Sequence, residues 1–222
     1  VLDYIKDGYL PDALISFIAT LGWNDGTKQE IYTREQLIDK FSLDRVQRSG
    51  ARFDERRLSW INGSLIRSLT IDELFKRTKP YWPREAADAS DDYLKSILAI
   101  IQERLKYLAE LPGLTRFFFV EPEINSALIK DNKRLNKLPA EDLKRWLNTA
   151  IERLGSSDFS ATDLTDKLNS LLEETGQKPP VLFSLLRIAV TQSMSSPGLA
   201  DTMAVLGKQR SLDRLRAQLQ PL

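Results

Sequence analysis

Apolar residues recur at helical spacing along nearly the whole chain. The longest such stripe predicts one helix over residues 91–111, which Pro112 and Gly113 would end. A second stripe predicts a helix over residues 55–69. Asn62-Gly63 interrupts that stripe, and the glycine indicates that another backbone approaches closely there. Further helices are predicted over residues 10–22, 34–41, 140–154, 162–175, 181–193, 199–206 and 208–220, with a short one after Thr70.

Residues that favour helix ends support this assignment. Thr33 and Thr70 each stand three residues before a Gln or Glu, the spacing of a capping box, and Asp54 can cap the helix that follows it. Residues 78–90 contain two prolines and no apolar period, which makes them the best candidate for a domain junction. The aromatic run 116–120 indicates either a buried turn or a hydrophobic plug. The whole pattern predicts an elongated all-α protein of two to three helical sub-bundles.

The composition argues against a catalyst. The 222 residues include no histidine and no cysteine, which excludes Ser-His-Asp and Cys-His chemistry, thiolate nucleophiles and zinc sites built on these ligands. The ten glycines are scattered and form no phosphate-binding loop. Paired carboxylates fall at predicted helix starts or on polar faces, where they favour the helix dipole. We therefore expect no catalytic residues and no metal site, and a binding module is favoured.

The distribution of charge along the chain indicates what kind of partner could bind. The 32 Lys and Arg nearly balance the 31 Asp and Glu, for a net charge of +1, but basic residues cluster locally around residues 45–67 and 181–222. Such patches suit a polyanion that is held at a few places. The alternative is that they are ordinary solvated helix faces. No apolar run reaches the length that a membrane helix needs.

Three features are candidate contacts. Arg104 lies at the edge of an apolar stripe, where its fork could meet a base or a phosphate, or where it could simply cover neighbouring apolar side chains. Arg187 is a lone charge in an apolar helix and must pair with an acid or meet a ligand. The turn 196–199 can expose N–H groups and a hydroxyl to an anion or a base.

Runs of residues over essentially the whole chain resemble the carboxy-terminal part of bacterial-type glutamyl-tRNA synthetases, a class I family. The order and spacing of the runs agree with that family. Three positions depart from it: Leu185 stands where the family has Pro, Gln192 where it has Gly, and Ala200 where it often has a bulky residue. The runs that carry the resemblance are Gly8-Tyr9-Leu10-Pro11 through Gly22-Trp23, Ala51-Arg52-Phe53-Asp54, Leu58 to Gly63 with Ile66-Arg67, Leu186 to Thr191, Ser196 to Leu199, and Leu206-Gly207-Lys208.

The resemblance implies a division into parts. Residues 1–75 would form the stem-contact fold, which braces the inner corner of the tRNA. Residues 76–135 and 136–222 would form the two subdomains of an α-helical anticodon-binding cage. A catalytic domain with HIGH and KMSKS motifs, which binds ATP with Mg and glutamate, would lie outside this chain. The chain itself is therefore expected to be a non-catalytic fragment without a cofactor.

The same resemblance implies roles for particular residues. Arg104 would lie beside the third anticodon base, as in enzymes that charge only the glutamate tRNA. The other anticodon contacts would be Arg187, Ser196, Pro197 and Leu199, and the contacts to the tRNA stem and backbone would be Arg48, Arg52 and Arg67.

The implied partners are tRNA(Glu) and the protein's own N-terminal catalytic domain. The enzyme is expected to be a cytoplasmic monomer that does not bind a membrane. The alternative is a helical protein–protein docking or regulatory module that does not read RNA directly.

Overall fold

A computed structural model describes residues 2–47 and 52–222, and every regular element within these ranges is helical. An isolated bridge pairs Trp23 with Val46. The prediction of an all-α fold is confirmed. The thirteen α-helices of the described ranges are α1 (Leu2–Lys6), α2 (Pro11–Ala19), α3 (Arg34–Lys40), α4 (Glu55–Ser68), α5 (Ile71–Thr78), α6 (Asp91–Ile101), α7 (Leu111–Thr115), α8 (Ala127–Asp131), α9 (Ala140–Gly155), α10 (Ala161–Thr175), α11 (Pro179–Thr191), α12 (Leu199–Leu206) and α13 (Lys208–Gln218).

Side-chain caps begin the helices where the sequence predicts them. The Gln36 backbone N–H donates to the Thr33 hydroxyl at 3.2 Å, and the Thr33 N–H donates back to the Gln36 side chain at 2.9 Å. Thr70 and Glu73 form the same reciprocal pair at the start of α5. Asp54 caps α4 through its carboxylate. These bonds satisfy N–H groups that the first turn of a helix leaves without partners.

The single helix predicted over residues 91–111 is wrong in its second half. α6 ends at Ile101, and a 3-10 turn follows. The side-chain amide of Gln102 donates to the carbonyl oxygens of Ile66 and Leu69, at 2.9 and 2.8 Å. These carbonyls belong to the C-terminal end of α4, where the helix itself supplies no partner. The bonds hold the chain in a sharp change of direction that an apolar period cannot reveal.

Backbone hydrogen bonds from distant residues fix the path after α6. The N–H of Leu108 donates to the Gly8 carbonyl at 3.2 Å, and the N–H of Ala109 donates to the Asp7 carbonyl at 3.1 Å. Pro112, predicted to end a helix, lies instead in the first turn of α7, where a missing N–H costs nothing. Burial of the apolar stripe is confirmed although the helix is interrupted. Its buried members are Leu94, Ile97, Leu98, Ile101, Leu105 and Leu108.

The helices pack into two compact units, Val1–Gly113 and Leu114–Leu222. Residues 78–90 lie inside the first unit, where they form two 3-10 turns. The functional division at residues 75 and 135 stays a prediction.

The buried side chain of Asn62 joins three parts of the first unit. Its Oδ1 accepts the N–H of Leu10 at 2.8 Å, and its Nδ2 donates to the Lys106 carbonyl at 2.5 Å. A Cβ on Gly63 would stand only 3.2 Å from the Leu105 carbonyl oxygen. The prediction that Gly63 permits a close backbone approach is confirmed, and the Asn-Gly pair is the point where α4 meets the chain after α6.

The second unit contains a buried arginine that bonds several segments. Arg214 is 5% exposed, and its Nε donates to a Glu121 carboxylate oxygen at 2.7 Å. Its terminal nitrogens donate to the carbonyl oxygens of Val190 and Phe117, each at 2.8 Å. Hydrogen bonding from Arg214 lowers the pKa of the Glu121 carboxyl below its ordinary value. The first three residues of the aromatic run form the 3-10 turn Arg116–Phe118. The bond from Arg214 to the Phe117 carbonyl ties this turn to α13.

Candidate nucleic-acid interface

Four of the sequence-predicted contact residues lie on one turn of the second unit and the helices beside it. Arg187 is half-buried on α11, and its Nε donates to the Ser196 hydroxyl oxygen at 2.9 Å. The Ser196 hydroxyl donates to the Pro197 carbonyl at 3.0 Å. Ser196 and Pro197 are buried, and Leu199 is the buried first residue of α12. We call these four residues the Arg187 corner, in which the guanidinium is oriented by a buried hydroxyl.

The start of α12 favours a neutral ligand over an anion. Gly198 is the N-cap residue, and the Asp201 carboxylate lies directly against it. A carboxylate in this place already stabilises the positive end of the helix dipole. A phosphate would meet a like charge here, so the edge of a base fits the turn better. From the sequence alone, both ligands were possible.

Gln192 explains how the turn begins without the glycine that the resemblance predicts. It adopts left-handed backbone angles, φ 49° and ψ 41°, which disfavour most side chains. Three hydrogen bonds of its side chain offset that cost. Its Oε1 accepts the N–H of Asn125 at 2.9 Å, and its Nε2 donates to the Ile188 carbonyl at 3.0 Å and to the Gln218 side chain at 2.8 Å.

Arg104 belongs to the first unit. It is the last residue of the 3-10 turn Gln102–Arg104, and its side chain is exposed. The backbone beneath it is fixed on both sides, because the Gln102 amide is bonded to the end of α4 and Leu105 is fully buried. An exposed guanidinium on a fixed turn can present its fork at a defined place.

The predicted stem contacts have different outcomes. Arg52 is exposed next to the start of α4. Arg67 is half-buried on α4, with a terminal nitrogen donating to the Ser64 hydroxyl at 3.0 Å and its Nε 3.9 Å from the Glu103 carboxylate. Arg48 lies outside the described residues.

A groove beside Arg67 is not among the features predicted from the sequence. Its volume is about 480 Å³, and the half-exposed indole of Trp60 (49%) lines it. Three cations and two carboxylates share the lining: Arg56, Arg67, Lys106, Glu55 and Glu110. Residues 56, 60, 63 and 67 recur at helical spacing, so one face of α4 forms a wall of the groove. The sequence alone shows this spacing, and it places these residues on the face of α4 opposite its apolar stripe. Cations beside an open aromatic face suit a nucleic acid.

An aromatic stack borders the same groove. The rings of Tyr9 and Tyr107 are stacked at 5.5 Å and 15°, and the negative charge of Glu110 raises the pKa of Tyr107 above its ordinary value. The Tyr107 phenol therefore stays protonated at neutral pH. Glu110 also accepts the Lys106 N–H at 2.7 Å, which fixes the backbone that carries this part of the wall.

Within the described ranges, no group of three or more acidic side chains is placed to hold a metal ion. None of the helices in those ranges is both long and apolar enough to cross a membrane.

Two family models match the chain. Residues 73–219 match the anticodon binding domain. Residues 1–60 match the catalytic domain of class I tRNA synthetases of the E and Q type. The Arg187 corner and Arg104 lie inside the first match, and Trp60 is the last residue of the second.

Curated relatives and solved structures agree with these matches. The glutamate–tRNA ligase of Roseiflexus castenholzii is 39% identical over 224 residues, which cover 97% of this chain and 43% of the relative. That of Dehalococcoides mccartyi is 34% identical over 219 residues, which cover 96% and 45%. A crystal structure of a glutamate tRNA ligase from Elizabethkingia meningosepticum has a TM-score of 0.82 at 24% identity, covers 99% of this chain and 43% of that one, and shows the shared fold. The chain thus spans less than half the length of these relatives.

Proposed function

The chain belongs to the anticodon binding domain family, in the form carried by glutamate–tRNA ligases, and from this premise we propose that it recognises tRNA(Glu). The observation that carries the proposal is the Arg187–Ser196 hydrogen bond, which lies inside the stretch that matches the family. The ligase reaction, which joins glutamate to its tRNA with ATP, would be performed by a catalytic domain outside this chain. This chain's part in it would be to hold the RNA.

The Arg187 corner would read unstacked anticodon bases. The bond to Ser196 uses the Nε of Arg187 and fixes the plane of the guanidinium, whose two terminal nitrogens form the fork of N–H donors. Proteins read single-stranded loops largely through base edges. Pro197 and Leu199 are buried, so their part would be to shape the turn that the bases contact next to the arginine. The Asp201 carboxylate would keep phosphates away from this turn.

Arg104 would read the third anticodon base, as the resemblance implies. Its fixed backbone gives the guanidinium a defined origin, and a planar fork accepts only bases whose acceptors match it. An arginine at this position would restrict the enzyme to the glutamate tRNA and exclude the glutamine tRNA.

The groove on α4 would hold the RNA backbone. Arg67 and Lys106 would neutralise phosphates, and Trp60 would cover a sugar or a base. The resemblance implies that Arg48 and Arg52 contact the stem or backbone of the RNA as well. Such contacts set the register of the RNA and carry no sequence information.

The remaining partners follow from the family. ATP, Mg and glutamate would bind to the catalytic domain of the whole enzyme and not to this chain. We expect the protein to act in the cytoplasm, where translation takes place, and to act as a monomer.

Binding to transcribed glutamate tRNA, measured by fluorescence anisotropy at several salt concentrations, tests the proposal. Affinity should fall steeply with salt, because bound cations release counterions from the RNA. Arg187→Ala and Arg104→Ala should each cost about 1–3 kcal/mol. Arg145→Ala is the matched control, since Arg145 is an exposed arginine of α9 that pairs with Asp142 at 2.6 Å.

Anticodon variants of the tRNA separate reading from general attraction. For a tRNA whose third anticodon base is changed, Arg104→Ala and the parent chain should bind with equal affinity, because the parent has then lost the same contact. Arg145→Ala should bind like the parent chain to every tRNA. If Arg104→Ala weakened every anticodon equally, its reading role would be wrong. Binding that ignored salt and anticodon alike would instead support the docking module that does not read RNA.

A further inference from the structure

A small cavity in the second unit is lined by none of the residues that we propose as RNA contacts. It lies between α8, the loop that leads to α9, and the C-terminal end of α13, and its volume is about 190 Å³. We call it the Gln218 cavity, after the residue that lines it together with Lys130, Ile129, Leu135 and Leu143. An apolar cavity of about 150 Å³ holds one benzene ring, so this cavity has room for a single ring or a short hydrocarbon chain.

The inner wall of the Gln218 cavity is apolar. Ile129, Leu135 and Leu143 are at most 7% exposed, so this part of the wall belongs to the core of the unit. Most of the other described residues around the cavity are apolar as well. A hydrocarbon ligand would remove its own surface and that of the wall from water, which is the main driving force for binding in such places.

The buried amide of Gln218 supplies a hydrogen-bond donor that lacks a partner. The side chain is 1% exposed. Because the Asn125 N–H donates to the Oε1 of Gln192, the Nε2 of Gln192 is the group that faces Gln218, and it donates to the Gln218 Oε1 at 2.8 Å. The Nε2 of Gln218 is then the free end of the amide, and it has no acceptor among the described residues. A buried donor without a partner is costly, so an acceptor on a ligand would stabilise it.

The charge at the cavity indicates which acceptor fits. Lys130 lines the cavity next to Ile129, and its side chain is exposed. None of the described side chains in the lining is acidic. A carboxylate would therefore meet a cation and a free amide donor without a like charge beside it, and it accepts hydrogen bonds more strongly than a neutral oxygen does.

We propose that the Gln218 cavity binds a small apolar carboxylate. Its ring or hydrocarbon chain would lie against Ile129, Leu135 and Leu143, and its carboxylate would lie toward Lys130 and the Gln218 amide. This site goes beyond the proposed recognition of RNA, and it does not depend on which residues contact the anticodon.

A fluorine NMR titration of para-fluorobenzoate with the protein tests the site. The probe combines one ring with one carboxylate, and its signal should shift and broaden in a saturable way. Fluorobenzene has the ring without the charge, and inorganic phosphate has charge without the ring. Para-fluorobenzoate should bind at least about tenfold more tightly than fluorobenzene, because it adds charged hydrogen bonds to the same apolar contacts. Phosphate should not displace it.

Three variants locate the bound probe. Gln218→Met removes the amide donor and keeps the length of the side chain, and it should weaken binding about tenfold. The Gln192 Nε2 keeps its bond to the Ile188 carbonyl in this variant. Lys130→Gln should weaken binding about two- to fivefold, since its ammonium is exposed. Lys133→Gln, an equal change of charge at an exposed lysine outside the lining, is the matched control and should leave the affinity unchanged.

Several results would overturn the proposal. The first is the absence of any saturable change in the probe signal. Equal binding of fluorobenzene would make the cavity a purely apolar one, and displacement by phosphate would make it a general anion site. An equal loss for Lys133→Gln and Lys130→Gln would show only attraction to surface charge. Melting temperatures of the variants establish that they are folded, and Lys130→Gln, at an exposed position, keeps the test decisive if Gln218→Met does not fold.

Discussion

Replacing Asn62 by Ala should destabilise the first unit more than any surface substitution. The change removes the acceptor of the Leu10 N–H and the donor to the Lys106 carbonyl, in a place where Asn62 is fully buried. Each buried polar group left without a partner costs about 1–3 kcal/mol. The two groups together give a loss of roughly 2–6 kcal/mol in the free energy of unfolding.

Urea unfolding followed by tryptophan fluorescence measures this loss. Trp146→Phe provides the background, because the other three tryptophans lie in the first unit and then report on it alone. Ser68→Ala is the matched control on the exposed side of α4 and should change stability by no more than about 0.5 kcal/mol. A loss for Asn62→Ala as small as that of the control would refute the view that the amide connects α4 to two other segments.

Asn62→Asp adds a pH test of the same contact. A carboxylate still accepts the Leu10 N–H but opposes the Lys106 carbonyl, whereas the protonated acid can donate to it. The pKa of the introduced carboxyl should therefore be raised by folding. Its stabilising contact is present below the unfolded pKa and is lost as the pH rises through the folded pKa. The variant should approach the parent stability in acid and fall behind at neutral pH, and a constant difference would contradict the assignment of the Nδ2 donor.

Two further predictions concern the second unit, each measured by unfolding of the chain. Gln192→Gly should cost about 1–2 kcal/mol, because the lost side-chain hydrogen bonds outweigh the relief of left-handed strain. Gln192→Ala should cost about 1 kcal/mol more because it keeps the strain. A glycine variant as stable as the parent would show that the bonds contribute no more than the strain costs. Glu121→Gln should destabilise at neutral pH, and its difference from the parent should shrink as acid protonates Glu121, since a carboxyl with a lowered pKa stabilises the fold only while it is ionised. Arg214→Met should cost about 2–6 kcal/mol, because it leaves the carbonyl oxygens of Val190 and Phe117 without their donors.

The sequence predicts the helices of this fold well and their interruptions poorly. Capping at Thr33 and Thr70 depends on residues three positions apart, so it can be read locally. The break after Ile101 depends on Gln102 reaching the end of α4, 33 to 36 residues away in the chain. An apolar stripe that stays buried across the break gives no sign of it. The apolar period of a sequence does not reveal long-range hydrogen bonds to the backbone, and these bonds determine where the helix ends.

The candidate site shows the same limit. A lone arginine in an apolar helix predicts that Arg187 needs a partner, but the sequence could not identify the Ser196 hydroxyl as that partner. The helical spacing that places Arg67 and Trp60 in one groove is present in the sequence, but a polar helix face looks like ordinary solvated surface until a second wall stands opposite it. The contacts of Arg104 with an anticodon, like those of the other candidates, stay a prediction until RNA binding is measured.

The burial of Asn62 ahead of Gly63 also affects how the molecule ages. In flexible chains an Asn-Gly pair deamidates readily, because the glycine nitrogen can attack the neighbouring side-chain carbonyl and close a succinimide ring. Inside α4 the helical backbone holds that nitrogen away from the amide, and the amide itself is bonded at both ends. The folded protein therefore protects a bond that its unfolded form would lose with time. Conversion of this residue to aspartate or isoaspartate becomes a chemical record of how long the first unit has spent open.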